Sequence, residues 1–437
     1  MNVSKITRRL HLLLSIDQTG PAILRSALAA ASVRMGGLVL AFFSSVVCAR
    51  ILGVDGFGRY TYVMAVAGVL SVPAALGMPQ YLVREVAGRV EWVEYLRRWA
   101  DKRAVQAGCA LAFIMLSVSF CVDASELRWL FALSAVVPLL TAVAEVRRGL
   151  LQGVGMVVLS QVAPLLFVPF IVLLGVLTLN HIFEDVQVWQ VMLVTVVASA
   201  ASLILSDVFL RAGRVIDSRV VSGMAPNVSI VSAVRFMWLG ALYLLLSRTD
   251  LIMLGVLSSD EDVGVYAVSS RAADLVPLVL AASNMVIAPR IARFYREGRM
   301  EEMRKLLSST MRLVLLGTLP VVLILLVGAN WLLVFFYGEA FADGATVMRL
   351  LVLSQLVLVL GGPLGTVLEM TGNEKASLQV LMWVVALNAV LNVFLIPHFG
   401  SLGAASATCL SVVLGRILLF RKVRTLVSLR PKFFGAW

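Results

Sequence analysis

Residues 156–179 read MVVLSQVAPLLFVPFIVLLGVLTL, a continuous, largely apolar run without a charged side chain. A helix needs about 20 such residues to cross a hydrocarbon core of about 30 Å, and the run lacks the period-two alternation of a half-buried strand. The sequence therefore predicts a transmembrane helix here, and similar runs predict eleven more. The twelve predicted spans cover residues 26–49, 60–82, 104–121, 129–146, 156–179, 188–210, 236–257, 265–286, 313–336, 346–368, 377–396 and 404–419.

The composition indicates that lipid surrounds most of this chain. Hydrophobic residues make up 60% of the 437 residues and charged residues only 14%, and the mean hydropathy is +0.95. A water-soluble core does not need so much apolar material. The net charge of +12 would suggest nucleic acid as the partner of a soluble protein. Here topology and attraction to anionic membrane lipids explain it, so we predict no nucleic-acid binding.

Basic residues gather in every second gap between the predicted spans. The alternate gaps contain mainly acidic residues. Because loops rich in Lys and Arg stay in the cytoplasm during insertion, both termini are predicted to be cytoplasmic. The basic gaps include Arg8 and Arg9, Arg97 and Arg98, Arg147 and Arg148, Arg211 and Arg214, Arg290 to Arg312, Lys375, and Arg421 to Lys432.

The longest polar connection, 211–227, divides the spans into two sets of six. The junction after the first span has a similar sequence in the two sets. It contains Leu52-Gly53 and Gly58-Arg59-Tyr60 in the first set, and Leu254-Gly255 and Gly264-Val265-Tyr266 in the second. Two equivalent halves with even numbers of spans are typical of transporters built from parallel repeats. The predicted domains are an amphipathic cytoplasmic N-terminus (1–25), an N-lobe (26–210), a cytoplasmic linker (211–230), a C-lobe (231–420) and a basic cytoplasmic tail (421–437).

Helix-breaking residues interrupt four of the predicted spans. Proline removes a backbone donor and kinks a transmembrane helix, which provides either a hinge or a static bend required by packing. Several such positions in a two-lobe protein favour a protein that changes conformation when it functions. The breaks are predicted at Pro73, Gly77 and Pro79, at Pro164 and Pro169, at Pro277, and at Gly361, Gly362 and Pro363.

Five charged residues inside predicted spans are the candidate site residues, namely Arg34, Arg248, Asp250, Arg271 and Asp274. A charge at mid-bilayer depth costs at least about 2.5–3.5 kcal/mol, so such residues face protein or a watery path. One interpretation is that the three arginines line a central cavity and bind an anionic headgroup, since guanidinium offers a planar fork to phosphate oxygens. Either aspartate would then bind the coupling ion.

The other interpretation makes the five charges structural. Asp274 lies one turn beyond Arg271 and could pair with it on the same helix face, whereas Arg248 and Asp250 point to different faces. Arginines near the interface could also snorkel to water.

Nothing in the sequence predicts catalysis, a metal site or a cofactor. The chain has no phosphate-binding loop, no HExxH and no GxSxG motif, and its four cysteines have no CxxC spacing. A glycan polymerase or glycosyltransferase embedded in the membrane would need a larger outer loop than any gap here provides.

Several short motifs occur in the order typical of one family. They are Arg50-Ile51-Leu52-Gly53, Gly56-Phe57-Gly58-Arg59-Tyr60, Gly77, Arg84-Glu85, Arg148-Gly149-Leu150-Leu151-Gln152-Gly153, Arg248-Thr249-Asp250, Gly264-Val265-Tyr266, Ile396-Pro397 and Gly400 with Gly403-Ala404-Ala405. The chain resembles, over nearly its whole length, the bacterial polysaccharide transporters of the multidrug, oligosaccharidyl-lipid and polysaccharide exporter superfamily, which include the O-antigen flippases.

The resemblance implies an all-α fold of twelve transmembrane helices in two six-helix bundles, which form an inverted V and open alternately to either side. It also implies that the protein flips an undecaprenyl-pyrophosphate-linked oligosaccharide across the bacterial inner membrane, coupled to a proton or sodium gradient. The competing hypothesis within the superfamily is a multidrug or small-cation extruder, which would favour an acidic and aromatic cavity. The third hypothesis is the polymerase or glycosyltransferase.

Overall fold

The computed structural model describes residues 20–86, 92–120, 125–212 and 230–427, and this part of the chain is almost entirely helical. Most of the predicted amphipathic N-terminus, linker and basic tail lie outside the described residues. The helices are α1 Gly20–Ala75, α2 Met78–Val86, α3 Val93–Phe120, α4 Ser125–Ser134, α5 Val137–Gly153, α6 Val157–Val162, α7 Val168–Ile182, α8 Val188–Ala212, α9 Ile230–Leu257, α10 Asp260–Ala273, α11 Leu278–Arg296, α12 Met300–Val327, α13 Ala329–Tyr337, α14 Gly344–Gly361, α15 Leu364–Met370 and α16 Glu374–Leu426.

The described residues include eight helices that are long and apolar enough to cross a membrane, or nine when the bent pair α10 and α11 counts as one. Two of the eight, Ser32–Val86 and Glu374–Leu426, have 55 and 53 residues, about twice the length of one crossing. Each is interrupted by a glycine with non-helical backbone, Gly53 (φ 69°) and Gly400 (φ 52°). The chain is therefore an all-α polytopic membrane protein, and the number twelve stays a prediction.

The ninth predicted span, 313–336, is wrong in its bounds. Helix α12 begins at Met300, so the basic segment that precedes the apolar run is helical too. It ends at Val327, and the short α13 begins after Gly328. Hydropathy marks the part of a helix that lies in lipid, and does not mark where the helix itself begins or ends.

The backbone breaks near all four predicted sets of helix breakers. Helix α1 ends at Ala75, before Leu76 (φ 50°) and Gly77 (φ 67°). A π-helical turn, Ala163–Phe167, surrounds Pro164. Helices α10 and α11 meet just before and after Pro277 at a bend of 50°, and α14 stops where Gly362 adopts φ 71°. Positive φ is sterically costly for a residue with a side chain, which explains the glycines at two of these breaks.

The chain forms two compact units. One consists of Met1–Leu52 with Val63–Leu244, and the other of Gly53–Tyr62 with Leu245–Trp437. In this division the short segment after Gly53 is grouped with the C-terminal residues, and the bounds of the predicted lobes stay a prediction. Helix α9 also contributes residues to both units.

In the first unit, α2, α3 and α5 pack through a core that includes the fully buried Tyr81, Leu96 and Leu150. In the second unit, the two junctions that resemble one another in sequence cross at their glycines. A Cβ added to Gly58 would lie 1.8 Å from the carbonyl oxygen of Asp260, and one added to Gly264 would lie 2.3 Å from that of Val54. Only glycine allows backbones to approach so closely.

Candidate functional site

The three predicted headgroup arginines are accessible to different degrees. Arg34 on α1 and Arg248 on α9 are exposed, and Arg271 near the end of α10 is half-buried. Arg34 belongs to the first unit, whereas Arg248 and Arg271 belong to the second. A cavity shared by all three therefore stays a prediction.

Arg271 contacts an aromatic ring. Its guanidinium carbon lies 5.2 Å from the ring centroid of Phe57, within the range of a cation–π contact. Phe57 is fully buried in the segment that joins the second unit. Asp274, in the bend after α10, is exposed. Among the described residues, no salt bridge joins Arg271 to Asp274, so the pair that the sequence allows is not formed.

Asp250 is the buried member of the five charges, with only 6% of its surface exposed. Its carboxylate accepts hydrogen bonds from four neutral side chains on three other helices or helix segments. Tyr266 Oη and Thr408 Oγ1 each donate to Oδ2 at 2.6 Å. Asn392 Nδ2 donates to Oδ1 at 2.7 Å, and Asn388 Nδ2 donates to the same oxygen at 3.1 Å. We call these five residues the Asp250 cluster.

The Asp250 cluster contains a carboxylate but no basic side chain. Across the described parts of the chain, no salt bridge involves Asp250, and Arg248, two residues away, is exposed. Burying a carboxylate without an opposite charge costs free energy even when its hydrogen bonds are made. The cluster therefore favours uptake of a positive charge.

One amide oxygen in the cluster lacks a partner. Asn392 is fully buried, and among the described residues its Oδ1 has no hydrogen-bond donor. Buried polar atoms in proteins are nearly always paired. An unpaired amide oxygen beside a carboxylate and two hydroxyls is a set of oxygen ligands suited to a hard cation. A proton on Asp250 is the other way to neutralise the site.

The partners of Asp250 were missed in the sequence. Asn388 and Asn392 are four residues apart in an apolar run, which places both on one helix face. That spacing, with Thr408 on the same long helix, is the signal that could have found them. The described residues contain no group of three His, Cys, Asp or Glu that could hold a metal.

A second buried charge cluster lies in the first unit. Arg147 is 6% exposed, although it lies in one of the basic gaps between predicted spans. Its Nε donates to Asp207 Oδ1 at 2.6 Å, and its Nη1 donates to Asp101 Oδ1. The arginine thus joins α3, α5 and α8.

A third polar contact lies at the break after α14. Arg416 on α16 donates from Nη1 to the carbonyl oxygen of Gly362 at 3.2 Å. This arginine lies inside the predicted span 404–419 but was not among the candidate site residues. A cation near a helix C-terminus is favourable because the last carbonyls are otherwise unpaired.

Comparison with protein families gives two matches. The model described as polysaccharide biosynthesis protein matches residues 23–295, which is more than half of the chain. The model described as MatE matches residues 240–394.

Two curated proteins of the archaeon Haloferax volcanii are similar to parts of the chain. The probable flippase AglR is 30% identical over 209 residues, and the probable low-salt glycan biosynthesis flippase Agl15 is 22% identical over 187 residues. These matches cover 47% and 43% of this chain, and 44% and 40% of the relatives. The chain therefore spans less than half the length of the curated relatives it matches.

Two solved structures have a similar fold. An inward-facing multidrug resistance MATE family transporter of the MOP superfamily aligns with a TM-score of 0.69 at 15% identity, over 92% of this chain and 98% of that one. The lipid II flippase MurJ in an inward closed conformation aligns with a TM-score of 0.67 at 12% identity, over 91% of this chain and 87% of that one. At such identities the likeness shows the transporter fold.

Proposed function

We propose, from the premise that this chain belongs to the polysaccharide biosynthesis protein family, that it flips a lipid-linked oligosaccharide across a membrane. The finer form of the proposal is an undecaprenyl-pyrophosphate-linked repeat unit of O-antigen or another surface polysaccharide, moved across the bacterial inner membrane with both termini in the cytoplasm. The family match carries the proposal. It is supported by two relatives named as probable flippases, although both are archaeal.

The proposed ligands of the anionic headgroup are Arg34, Arg248 and Arg271. Guanidinium remains charged when partly desolvated and binds phosphate oxygens through two parallel hydrogen bonds. Arg34 and Arg248 are exposed, so their guanidinium groups are accessible to a ligand. The guanidinium of Arg271 is held in place, because it packs against the ring of Phe57 within the second unit. Arg271 is therefore the best positioned of the three arginines.

Asp250 is the proposed coupling residue, and Asp274 is the second candidate. A cation that enters the Asp250 cluster would meet the carboxylate, the Thr408 hydroxyl and, after rotation of the amides, the oxygens of Asn388 and Asn392. Four oxygens from three places in the chain would connect α9 to both halves of α16. Occupancy of the cluster would thereby change which arrangement of these helices is stable, which is what coupling to an ion gradient requires.

The flipping proposal is tested in cells that lack the gene. Deletion is expected to accumulate a lipid-linked oligosaccharide on the cytoplasmic leaflet and to reduce surface glycan. Wild-type protein restores the glycan, Arg248→Ala and Arg271→Ala do not, and the exposed Arg103→Ala serves as control. Normal surface glycan in the deletion strain would refute the flippase, and full activity of Arg34→Ala, Arg248→Ala and Arg271→Ala would refute the arginine site.

The coupling proposal is tested by ligand-dependent stability. Na⁺ at about 100 times its Kd would stabilise the purified protein by about 2.7 kcal/mol, so the melting temperature should rise in NaCl but not in equimolar KCl. Asp250→Asn should abolish the rise, and Asp274→Asn should keep it. If stability instead follows pH through Asp250 alone, the coupling ion is a proton. The site is refuted if the melting temperature of the wild type responds to neither NaCl nor pH. It is also refuted if the melting temperature of Asp250→Asn responds as strongly as that of the wild type.

The second candidate function is export of a small organic cation, which the MatE match over residues 240–394 favours. The three arginines argue against it, because a cationic site repels such substrates. Drug accumulation in cells with and without the protein separates the two functions. A polymerase or glycosyltransferase would instead lengthen a glycan chain in vitro.

A further inference from the structure

A cavity of about 420 Å³ lies where α11 ends and α12 begins, within the second unit. It is separate from the Asp250 cluster and from the three proposed headgroup arginines. Its lining residues are Arg290, Arg293, Phe294, Glu302, Lys305 and Leu306.

The cavity has an excess of positive charge. Residues 290–305 contain six basic side chains and three carboxylates. Glu297 pairs with Arg293 at 2.7 Å and with Arg299 at 2.8 Å. These hydrogen bonds lower the pKa of Glu297, so its charge is present at neutral pH.

Among the basic side chains that line the cavity, Arg290 and Lys305 have the weakest contacts with carboxylates. Salt bridges among the described residues do not include Arg290, which is exposed. Lys305 is 3.9 Å from Glu301, and both are more than three-quarters exposed. A pair of this kind is worth little, so Lys305 can exchange its partner for another anion. The carboxylate that lines the cavity, Glu302, pairs with Arg299.

The lining also includes two apolar side chains, and exposed leucines lie further along α12. Phe294 and Leu306 are half-buried beside the cations. Two turns and more further along α12, Leu313 is 68% exposed and Leu316 is 69% exposed. In a membrane protein such side chains contact acyl chains. A ligand at this position meets cations at one end and hydrocarbon at the other.

We propose that this cavity binds the phosphate-bearing headgroup of an anionic phospholipid, with its acyl chains along the exposed leucines of α12. Under the predicted orientation the lipid belongs to the cytoplasmic leaflet. Arg290 and Lys305 bind the phosphate, and a bound lipid would hold the turn between α11 and α12. The inference does not depend on what the protein transports.

The test is lipid binding by the purified full chain, measured by native mass spectrometry and by melting temperature. Phosphatidylglycerol, phosphatidylcholine and inorganic phosphate are the probes. The double variant Arg290→Gln/Lys305→Gln is compared with Arg304→Gln/Lys102→Gln, which removes the same charges from exposed positions outside the cavity. Melting temperature without lipid shows that both variants fold, and the single variants serve if the double one does not.

Phosphatidylglycerol should stay bound to the wild type and to the control variant, and the cavity variant should lose at least about tenfold in affinity, or about 1.4 kcal/mol. Phosphatidylcholine should bind weakly to all three. Equal loss in both double variants would mean general charge attraction and overturn the proposal. So would unchanged binding in the cavity variant, or displacement of the lipid by equimolar inorganic phosphate, which would indicate a free-phosphate site.

Discussion

Replacing Gly58 with alanine should destabilise the second unit. The added Cβ would lie 1.8 Å from the carbonyl oxygen of Asp260 and 2.7 Å from its carbonyl carbon, both below the 3.0 Å that Cβ atoms essentially never pass. Both atoms belong to the backbone, so no side chain can rotate away. Overpacking costs about 1–3 kcal/mol, and a clash between backbones places this variant near 3 kcal/mol.

Gly68→Ala is the matched control. Gly68 lies inside the same long helix, and an added Cβ would meet nothing within 4 Å. Alanine there should stabilise the helix by about 0.5–1 kcal/mol. The two variants, which add the same methyl group, should therefore differ by about 3.5–4 kcal/mol.

Thermal unfolding of both proteins in one detergent, followed by tryptophan fluorescence, measures this difference. For units of this size 1 kcal/mol changes the Tm by about 2–4 °C, so Gly58→Ala should melt at least about 7 °C below Gly68→Ala. Gly264→Ala, with its Cβ 2.3 Å from the carbonyl oxygen of Val54, should behave like Gly58→Ala. A difference under about 2 °C would refute the glycine crossing.

Three further substitutions test buried polar contacts through the same melting measurement. Arg147→Gln should cost about 1.5–3 kcal/mol, because it removes charge-assisted hydrogen bonds to Asp101 and Asp207, and only Asp101 keeps another cation, Arg97 at 3.3 Å. Tyr266→Phe should cost about 1.5–3 kcal/mol, since it removes a hydrogen bond to a buried carboxylate without changing shape. Asp262→Ala should cost about 0.5–2 kcal/mol, because Asp262 Oδ1 accepts from the Ser401 backbone N–H at 2.8 Å, like a helix N-cap.

Neighbouring or similar residues control for these changes. Arg103→Gln, Tyr295→Phe and Glu261→Ala alter more exposed side chains of the same type and should each cost less than about 1 kcal/mol. Equal effects of Arg147→Gln and Arg103→Gln would contradict the role of the buried Arg147 in joining α3, α5 and α8. A silent Tyr266→Phe would show that the hydroxyl does not stabilise Asp250, and a silent Asp262→Ala would remove the proposed cap.

The membrane class and the helix breaks could be predicted because both depend on neighbouring residues. An apolar run such as 156–179 needs no distant partner to enter lipid, and the breaks near Pro277 and Gly362 follow from backbone sterics. The bounds of α12 could not be predicted in the same way, since its basic first turns are as helical as its apolar end.

The sequence by itself determined that this chain is a helical membrane protein with interrupted spans, and that charges such as Asp250 and Arg271 need an explanation. Only the tertiary structure decided what surrounds them. The partners Asn392 and Thr408 are 142 and 158 residues away from Asp250, and the burial of Arg147 depends on helices that follow and precede it. Hydropathy and backbone conformation are local properties, whereas the pairing of a buried charge depends on which helices pack together.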